Sequence, residues 1–318
     1  VDWCRLEGPA TKQAVAERVA AKAQVRPRDV ANFFNSELRS RLCVVACDMS
    51  ERIVQEKLSE NDCRGALLKD HGAKVSGNES VLCLTQPQVV GKIHKESFAA
   101  GADVCLTCTR DASSLDQAKY GTEAHVYAIN KAAAQLAKQA AADATAQSRD
   151  KPRLVAGRLG PAGWTVSCLP GEQTDAATGS TTWEALVGAY SEQVRGLVEG
   201  GVDLLALSAC SGALNAKAAI VAVEEYFERS GRERMPLIIS VQLDERGRTL
   251  SGQAIDAFML SVMHAKPLAV GVVGAFAADK MREFCQAASR SCACWCFAVS
   301  VGASAREALA ACAEAGAA

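Results

Sequence analysis

The chain has no surplus of either charge: 35 Lys and Arg stand against 36 Asp and Glu, a formal net charge of −1 over 318 residues. A nucleic-acid binder carries a basic stripe, and with a pI near 6.5 this sequence shows none. Long hydrophobic runs are also missing. Nothing approaches the 18 or so uninterrupted apolar residues of a transmembrane helix. No Ser-His-Asp, Rossmann-glycine or nucleic-acid motif stands out. Residues 171–182 are rich in Thr, Gly and Ser, but they lack the Lys and the helix-start spacing of a phosphate cradle, so they read as a surface loop.

Cysteine is frequent without being dense. Fourteen in the whole chain fall below the ~8–10% that marks a disulfide scaffold. Cys43, Cys47, Cys83, Cys105, Cys294 and Cys296 sit inside apolar runs, where thiols pack as small hydrophobes. Such usage fits a reducing compartment, mitochondrial matrix or, as the alternative, cytoplasm. The first residue is Val1 rather than Met; removal of a targeting peptide is one explanation and a partial chain another.

With 49% hydrophobic residues, the chain can bury a large core. Residues 1–41 read as a helical extension. Candidate helices at 11–25, with Thr11 as a cap, and at 28–42, with Phe33, Phe34 and Leu38 at helical spacing, are separated by Pro27. Two readings stand: a leader packed on the rest of the protein, or an arm that docks on another subunit.

Residues 42–318 alternate β-branched runs with Ala-rich amphipathic stretches. Candidate strands fall at 42–46, 103–107, 153–158, 203–208, 236–242, 268–273 and 294–299. Helices are expected at 88–100, 122–145, 182–200, 215–230, 252–265, 279–289 and 304–315. Ala100-Gly101-Ala102-Asp103 and Gly200-Gly201-Val202-Asp203 repeat one step, a glycine helix cap followed by a strand start. This alternation predicts an α/β fold of parallel β/α units; closed as a TIM-type (β/α)8 barrel, the architecture that the resemblance given below implies, it would be incomplete at the eighth strand. An open seam exposes backbone edges, which the leader, a degenerate terminal segment or another subunit would cover.

Several long motifs carry a resemblance. They include Leu84-Thr85-Gln86-Pro87, Phe98-Ala99-Ala100-Gly101-Ala102-Asp103, Lys151-Pro152-Arg153-Leu154-Val155-Ala156-Gly157 and Leu159-Gly160-Pro161. Further on come Gln193-Val194-Arg195-Gly196-Leu197, Leu214-Asn215-Ala216-Lys217, Arg248-Thr249-Leu250-Ser251-Gly252-Gln253 and His264-Ala265-Lys266-Pro267. In order and spacing, residues 41–315 resemble the homocysteine S-methyltransferase domain found at the front of cobalamin-dependent methionine synthase.

The resemblance implies a zinc-bound homocysteine thiolate at the carboxyl ends of the strands, yet the chain departs from the family pattern there. Gly274 stands where the family has its first zinc cysteine, and the Gly-Gly-Cys-Cys that supplies the other two ligands has no counterpart before Ala318. Leu106 replaces the glutamate that pairs the substrate ammonium. Ser208-Ala209-Cys210-Ser211-Gly212 replaces Glu-Thr-Ile-Phe-Asp, and Ala162-Gly163 replaces Thr-Asn. Ala46-Cys47-Asp48-Met49-Ser50-Glu51 takes the place of Asp-Gly-Ala-Met-Gly-Thr. Catalytic, substrate-binding and metal residues of the family are therefore expected to be absent, and no cofactor is expected.

A rebuilt metal site at Cys292, Cys294 and Cys296 is the weaker alternative. The three share a face of a strand but lack the Cys-x₂-Cys knuckle spacing. His94 and His264 lie on expected helices and read as surface or capping residues; His71 and His125 have no evident partner. Trp164 and Trp183 read as core or interface anchors. The expected function is that of a catalytically inactive homocysteine S-methyltransferase-like protein, a structural or accessory subunit of a larger, mitochondrial complex. Its partners would be other protein subunits, met through the N-terminal extension and the open seam. The alternative is a zinc-dependent enzyme forming methionine from homocysteine; a third reading is a small-molecule binding module.

Overall fold

A computed structural model describes residues 12–46, 49–166 and 179–300. Thr11, Cys47, Asp48, most of the loop at 171–182 and the helix expected at 304–315 lie outside the described residues.

The chain opens with helices α1 (Lys12–Ala20) and α2 (Pro27–Leu38), then strand β1 (Val45–Ala46). Three short helices follow, α3 (Ser50–Gln55), α4 (Glu60–Arg64) and α5 (Leu82–Thr85). Next come α6 (Pro87–Ala99), β2 (Val104–Leu106), α7 (Ser114–Gln117), α8 (Val126–Gln147) and β3 (Leu154–Leu159). A small ribbon of β4 (Trp164–Thr165) and β5 (Gly179–Ser180) precedes α9 (Trp183–Glu199) and β6 (Leu204–Cys210). The rest is α10 (Ala213–Ser230), β7 (Leu237–Gln242), α11 (Ile255–Val262), β8 (Ala269–Gly274), α12 (Ala278–Ser291) and β9 (Trp295–Ser300).

Seven strands form one parallel sheet in the order β1-β2-β3-β6-β7-β8-β9, curling into an incomplete (β/α) barrel. All seven strands expected from the sequence are present. Helices over the sheet leave the strands buried on both faces, so they read as continuous apolar runs. All six residues of β3 are buried, as are six of the seven in β6. Among the described residues, β1 and β9 each pair on one side only.

The repeated Gly-x-Asp step builds the same joint twice. Gly101 and Gly201 take left-handed φ values of 107° and 92°. Ala102 N–H returns to Ser97 O and Val202 N–H to Leu197 O, closing a Schellman turn after α6 and after α9. The aspartate that follows then reaches the start of the preceding sheet strand: Asp103 Oδ2 accepts from Val44 N–H at 2.8 Å and Asp203 Oδ2 from Val155 N–H at 2.9 Å. Each is paired with a cation, Asp103 with Arg41 and Asp203 with the buried Lys138 at 2.7 Å.

The leader crosses the amino-end floor of the barrel. Gln24 Nε2 donates to Val202 O, Trp295 Nε1 at the start of β9 donates to Asn35 Oδ1, and Arg41 holds Asp103. Val15 and Val19 of α1 and Val30, Phe33 and Phe34 of α2 belong to the main core. Helix α1 stops at Ala20, five residues short of the expected end, because Lys22 turns to φ 56° and closes its own Schellman turn. Residues 49–85 were given no element by the sequence. They fold into α3, α4 and α5, which pack on α6 and α8 in a second apolar cluster around Leu68, Leu82, Ile93 and Ile129.

Candidate functional site

The carboxyl ends of the strands are where a parallel barrel places its chemistry. On the β6–β8 side this end is filled by the protein itself. A Cβ added to Gly274, the last residue of β8, would run into Cε2 and Cζ of the Phe276 ring. The Phe276 ring stacks edge-to-face on Phe284 of α12, centroids 5.0 Å apart. Phe284 in turn lies over Gly247, whose φ of 73° turns the loop after β7; both rings are buried. An aromatic plug thus stands where a ligand side chain on residue 274 would need space.

The end of β6 is closed by a second contact. The loop after β7 folds back so that Leu250 N–H bonds Ser211 O at 3.1 Å, and a Cβ on Gly212 would lie 3.0 Å from Ser251 Oγ. Between Leu207 and Cys210 the register with β7 shifts, and Ala209 sits at φ 53° with its N–H donating to Ser240 Oγ. This is a bulge of the kind that re-aims a strand end beside an active site. Ser208 and the buried Cys210 flank it, and neither carries a charge that could pair an ammonium ion. Leu106, at the end of β2, is buried in the main core.

Polar groups concentrate on the β2–β3 side. Thr107 Oγ1 and Thr109 Oγ1 lie 2.7 Å apart; Thr109 donates to Arg158 O and Arg158 N–H donates to Thr107, which ties the two strand ends together. Asp116 accepts from Ser113 Oγ, Gly163 N–H and Lys119 Nζ, so its carboxylate is committed to the loop. Burial, with Asp116 nearby, raises the Asp111 carboxyl above its usual range, against the pull of Arg110 and Arg158. Trp164 Nε1 donates to Leu115 O, and Trp183 packs on the main core, consistent with anchoring roles.

Two thiols at this end, Cys83 and Cys210, are poor nucleophiles. Cys83 is raised well above an ordinary thiol by its hydrogen bond with Cys108 and by burial, and burial pushes Cys210 up to about 12. A thiol must ionise to attack or to bind metal, so both remain protonated near neutral pH. Among the described residues no group of three His, Cys, Asp or Glu side chains comes together to hold a metal. Among the described residues, then, zinc of the family type finds no place: an aromatic ring lies where a ligand side chain on residue 274 would stand, and no replacement set converges there.

Cys292, Cys294 and Cys296 lie at the opposite end, at the start of β9, and also form no triad. Cys292 and Cys294 are half-buried while Cys296 is buried. The histidines divide differently from expectation. His94 is 1% exposed with Nε2 unpartnered, which overturns its surface reading. Val90 and Phe98, four residues either side on α6, are also buried, and that spacing was the signal to follow. His264 is exposed, His71 Nε2 lies 2.6 Å from Tyr120 O, and His125 precedes α8.

Comparison with known proteins agrees with this frame. The homocysteine methyltransferase MmuM from Escherichia coli superposes with a TM-score of 0.69 in its metallated form, at 18% identity, covering 89% of this chain and 92% of that one. The oxidised form gives 0.68 at 18% identity and the apo form 0.64 at 15%. At such identities the likeness speaks for the fold. The family model described as homocysteine S-methyltransferase matches residues 45–313. With that match spanning most of its length, the chain belongs to the homocysteine S-methyltransferase family.

Proposed function

We propose that this chain is a family member without methyl-transfer catalysis, its barrel kept as a structural or accessory subunit of a larger assembly. The observation that carries the reading is the end of β8, where the Phe276 ring fills the space a side chain on Gly274 would use, at the position where the resemblance implies a metal ligand. Homocysteine attacks as a thiolate, and a bound zinc ion supplies that thiolate near neutral pH. With no ligand set converging among the described residues, the sulfur goes without that activation. The substrate ammonium would also enter unpaired, at substantial desolvation cost, since Leu106 and Ser208 carry no charge.

The subunit role draws support from the surface. Strands β1 and β9 keep one unpaired side each among the described residues, and Leu42 and Val44 beside β1 are 49% and 56% exposed. Edges of this kind are usually covered. The test is an assay of purified protein with homocysteine and each of methylfolate, methylcobalamin and S-methylmethionine, with and without added zinc. Methionine at the no-protein background is expected; zinc-dependent methionine formation overturns the reading. Fractionation of native extract should recover the chain with fixed companion subunits, and recovery as a lone monomer contradicts the subunit role.

A further inference from the structure

A cleft of about 560 Å³ opens at the amino-end floor of the barrel, between the leader and helices α9 and α10. Two helix ends build it. Helix α1 stops where Lys22 turns to φ 56°, and α10 stops where Gly231 turns to φ 64°. Each end carries an arginine, Arg18 in the last turn of α1 and Arg232 directly after Gly231. Both line the cleft, with Arg26 from the segment that leads into α2. Its base is closed by Val25, Val198, Phe227 and Met235, none of them more than 5% exposed.

Three guanidinium groups face one carboxylate, Glu233, around this cleft. Arg26 is already committed: its Nε and Nη2 donate to the two oxygens of Asp29 at 2.7 and 3.1 Å. Arg18 is held in place without being neutralised, its Nε donating to Gln24 O at 3.4 Å. Arg232 is exposed, and among the described residues neither it nor Arg18 meets a carboxylate within ion-pair distance. Gln24 Nε2 donates to Val202 O and lies 4.0 Å from Met235 Sδ, which pins this wall of the cleft beside the starts of β6 and β7.

We propose that this cleft is a binding site for small organic phosphates, with Arg18 and Arg232 taking the phosphate and the apolar base lying under the organic part. A guanidinium presents its N–H donors in a planar fork that matches phosphate oxygens. A phosphate monoester carries close to two negative charges near neutral pH, which answers two uncompensated arginines. The volume falls within the roughly 300–1,000 Å³ of small-ligand pockets, so room remains for an organic body beside the phosphate. Glu233 is the one opposing charge, and it weakens the hold on any anion. A bound phosphate joins the end of α1 to the turn after α10, which couples occupancy to the seating of the leader. The site lies at the end of the barrel opposite the mouth and is independent of whether the mouth retains methyl transfer.

The test is isothermal titration of the full-length protein, in phosphate-free buffer of low ionic strength, with phenyl phosphate, inorganic phosphate and benzyl alcohol. Phenyl phosphate should bind saturably at one site, about tenfold more tightly than either fragment, since only it uses both the cations and the apolar base. Arg18→Gln and Arg232→Gln should each weaken it by about tenfold, the loss of one charge-assisted contact. Glu233→Gln should tighten it, and added salt should weaken it. All three side chains are exposed, so the variants keep the fold, and an unchanged thermal midpoint checks this. The proposal is overturned if phenyl phosphate fails to saturate, or if both arginine variants bind it as the wild type does. It is equally overturned if inorganic phosphate binds as tightly, which would reduce the cleft to a patch for stray ions, or if Glu233→Gln weakens binding.

Discussion

His94 is a buried histidine with a depressed pKa. Desolvation alone brings its imidazole down to about 4, against roughly 6.5 in an unfolded chain. The fold therefore holds it neutral, and below about pH 6.5 the unfolded state takes up the proton more readily. Its contribution is full above that value and falls as pH drops toward the folded pKa, by about 2 kcal/mol between pH 7 and pH 5. Urea denaturation of wild type and His94→Leu should show wild type losing about that much more over the interval. Parallel losses in the two proteins would mean that the ring is hydrated. Gly274 makes a prediction of the same scale. Restoring the family residue with Gly274→Cys drives a side chain into the Phe276 ring, and overpacking of this kind costs about 1–3 kcal/mol. A variant as stable as wild type in denaturant titration would show that the space is open.

At the scale of elements, α8 and α9 meet more closely than side chains usually permit. A Cβ on Gly196 would lie 2.7 Å from Asn130 Cβ and 2.9 Å from Tyr127 O, and one on Gly200 would lie 2.5 Å from Ala134 Cβ. Gly196→Ala gains about 1 kcal/mol of helix propensity but wedges the helices apart at about 1–3 kcal/mol. A net loss in thermal or urea stability is the expected outcome; a gain would mean that the pair separates freely. Gln193, one turn earlier on α9, is buried as well, so this stripe has little room to slide.

Much of this level was legible beforehand. Apolar runs bounded by glycine and proline located the seven described barrel strands to within a few residues, because a parallel strand is apolar on both faces and ends abruptly. The Gly101 and Gly201 joints were readable since one glycine sets the turn and one aspartate follows it. Helices α3, α4, α5 and α7 span six, five, four and four residues, too short for a helical period to emerge. The departures at Leu106, Ser208 and Gly274 were visible as letters. That Phe276 and Ser251 occupy the spaces at Gly274 and Gly212 was not, because those contacts arise only when the loops after β7 and β8 fold over the strand ends.

Across the whole molecule, the leader and the barrel share one core. Phe33 and Phe34 belong to the same cluster as Leu154 and Leu205, and the polar ties from Gln24, Asn35 and Arg41 reach three separate strand starts. Residues 12–38 thus act as the barrel floor. A chain beginning at residue 42 should lose cooperative thermal unfolding or solubility, since it would uncover several large apolar side chains worth about 1.5–3 kcal/mol each. A truncated chain melting like the full one would return the leader to the role of a detachable arm.

The central claim concerns the opposite end, where the fold of a zinc-dependent methyltransferase family is closed by aromatic packing. Its most direct test is the metal content of full-length protein equilibrated with excess zinc, freed of loosely bound ions and measured by plasma mass spectrometry beside Phe276→Ala. The account predicts zinc far below one equivalent in both, because removing the ring opens space but supplies no ligands. One tightly bound equivalent in the wild-type protein, displaced or sharpened by homocysteine, would contradict it.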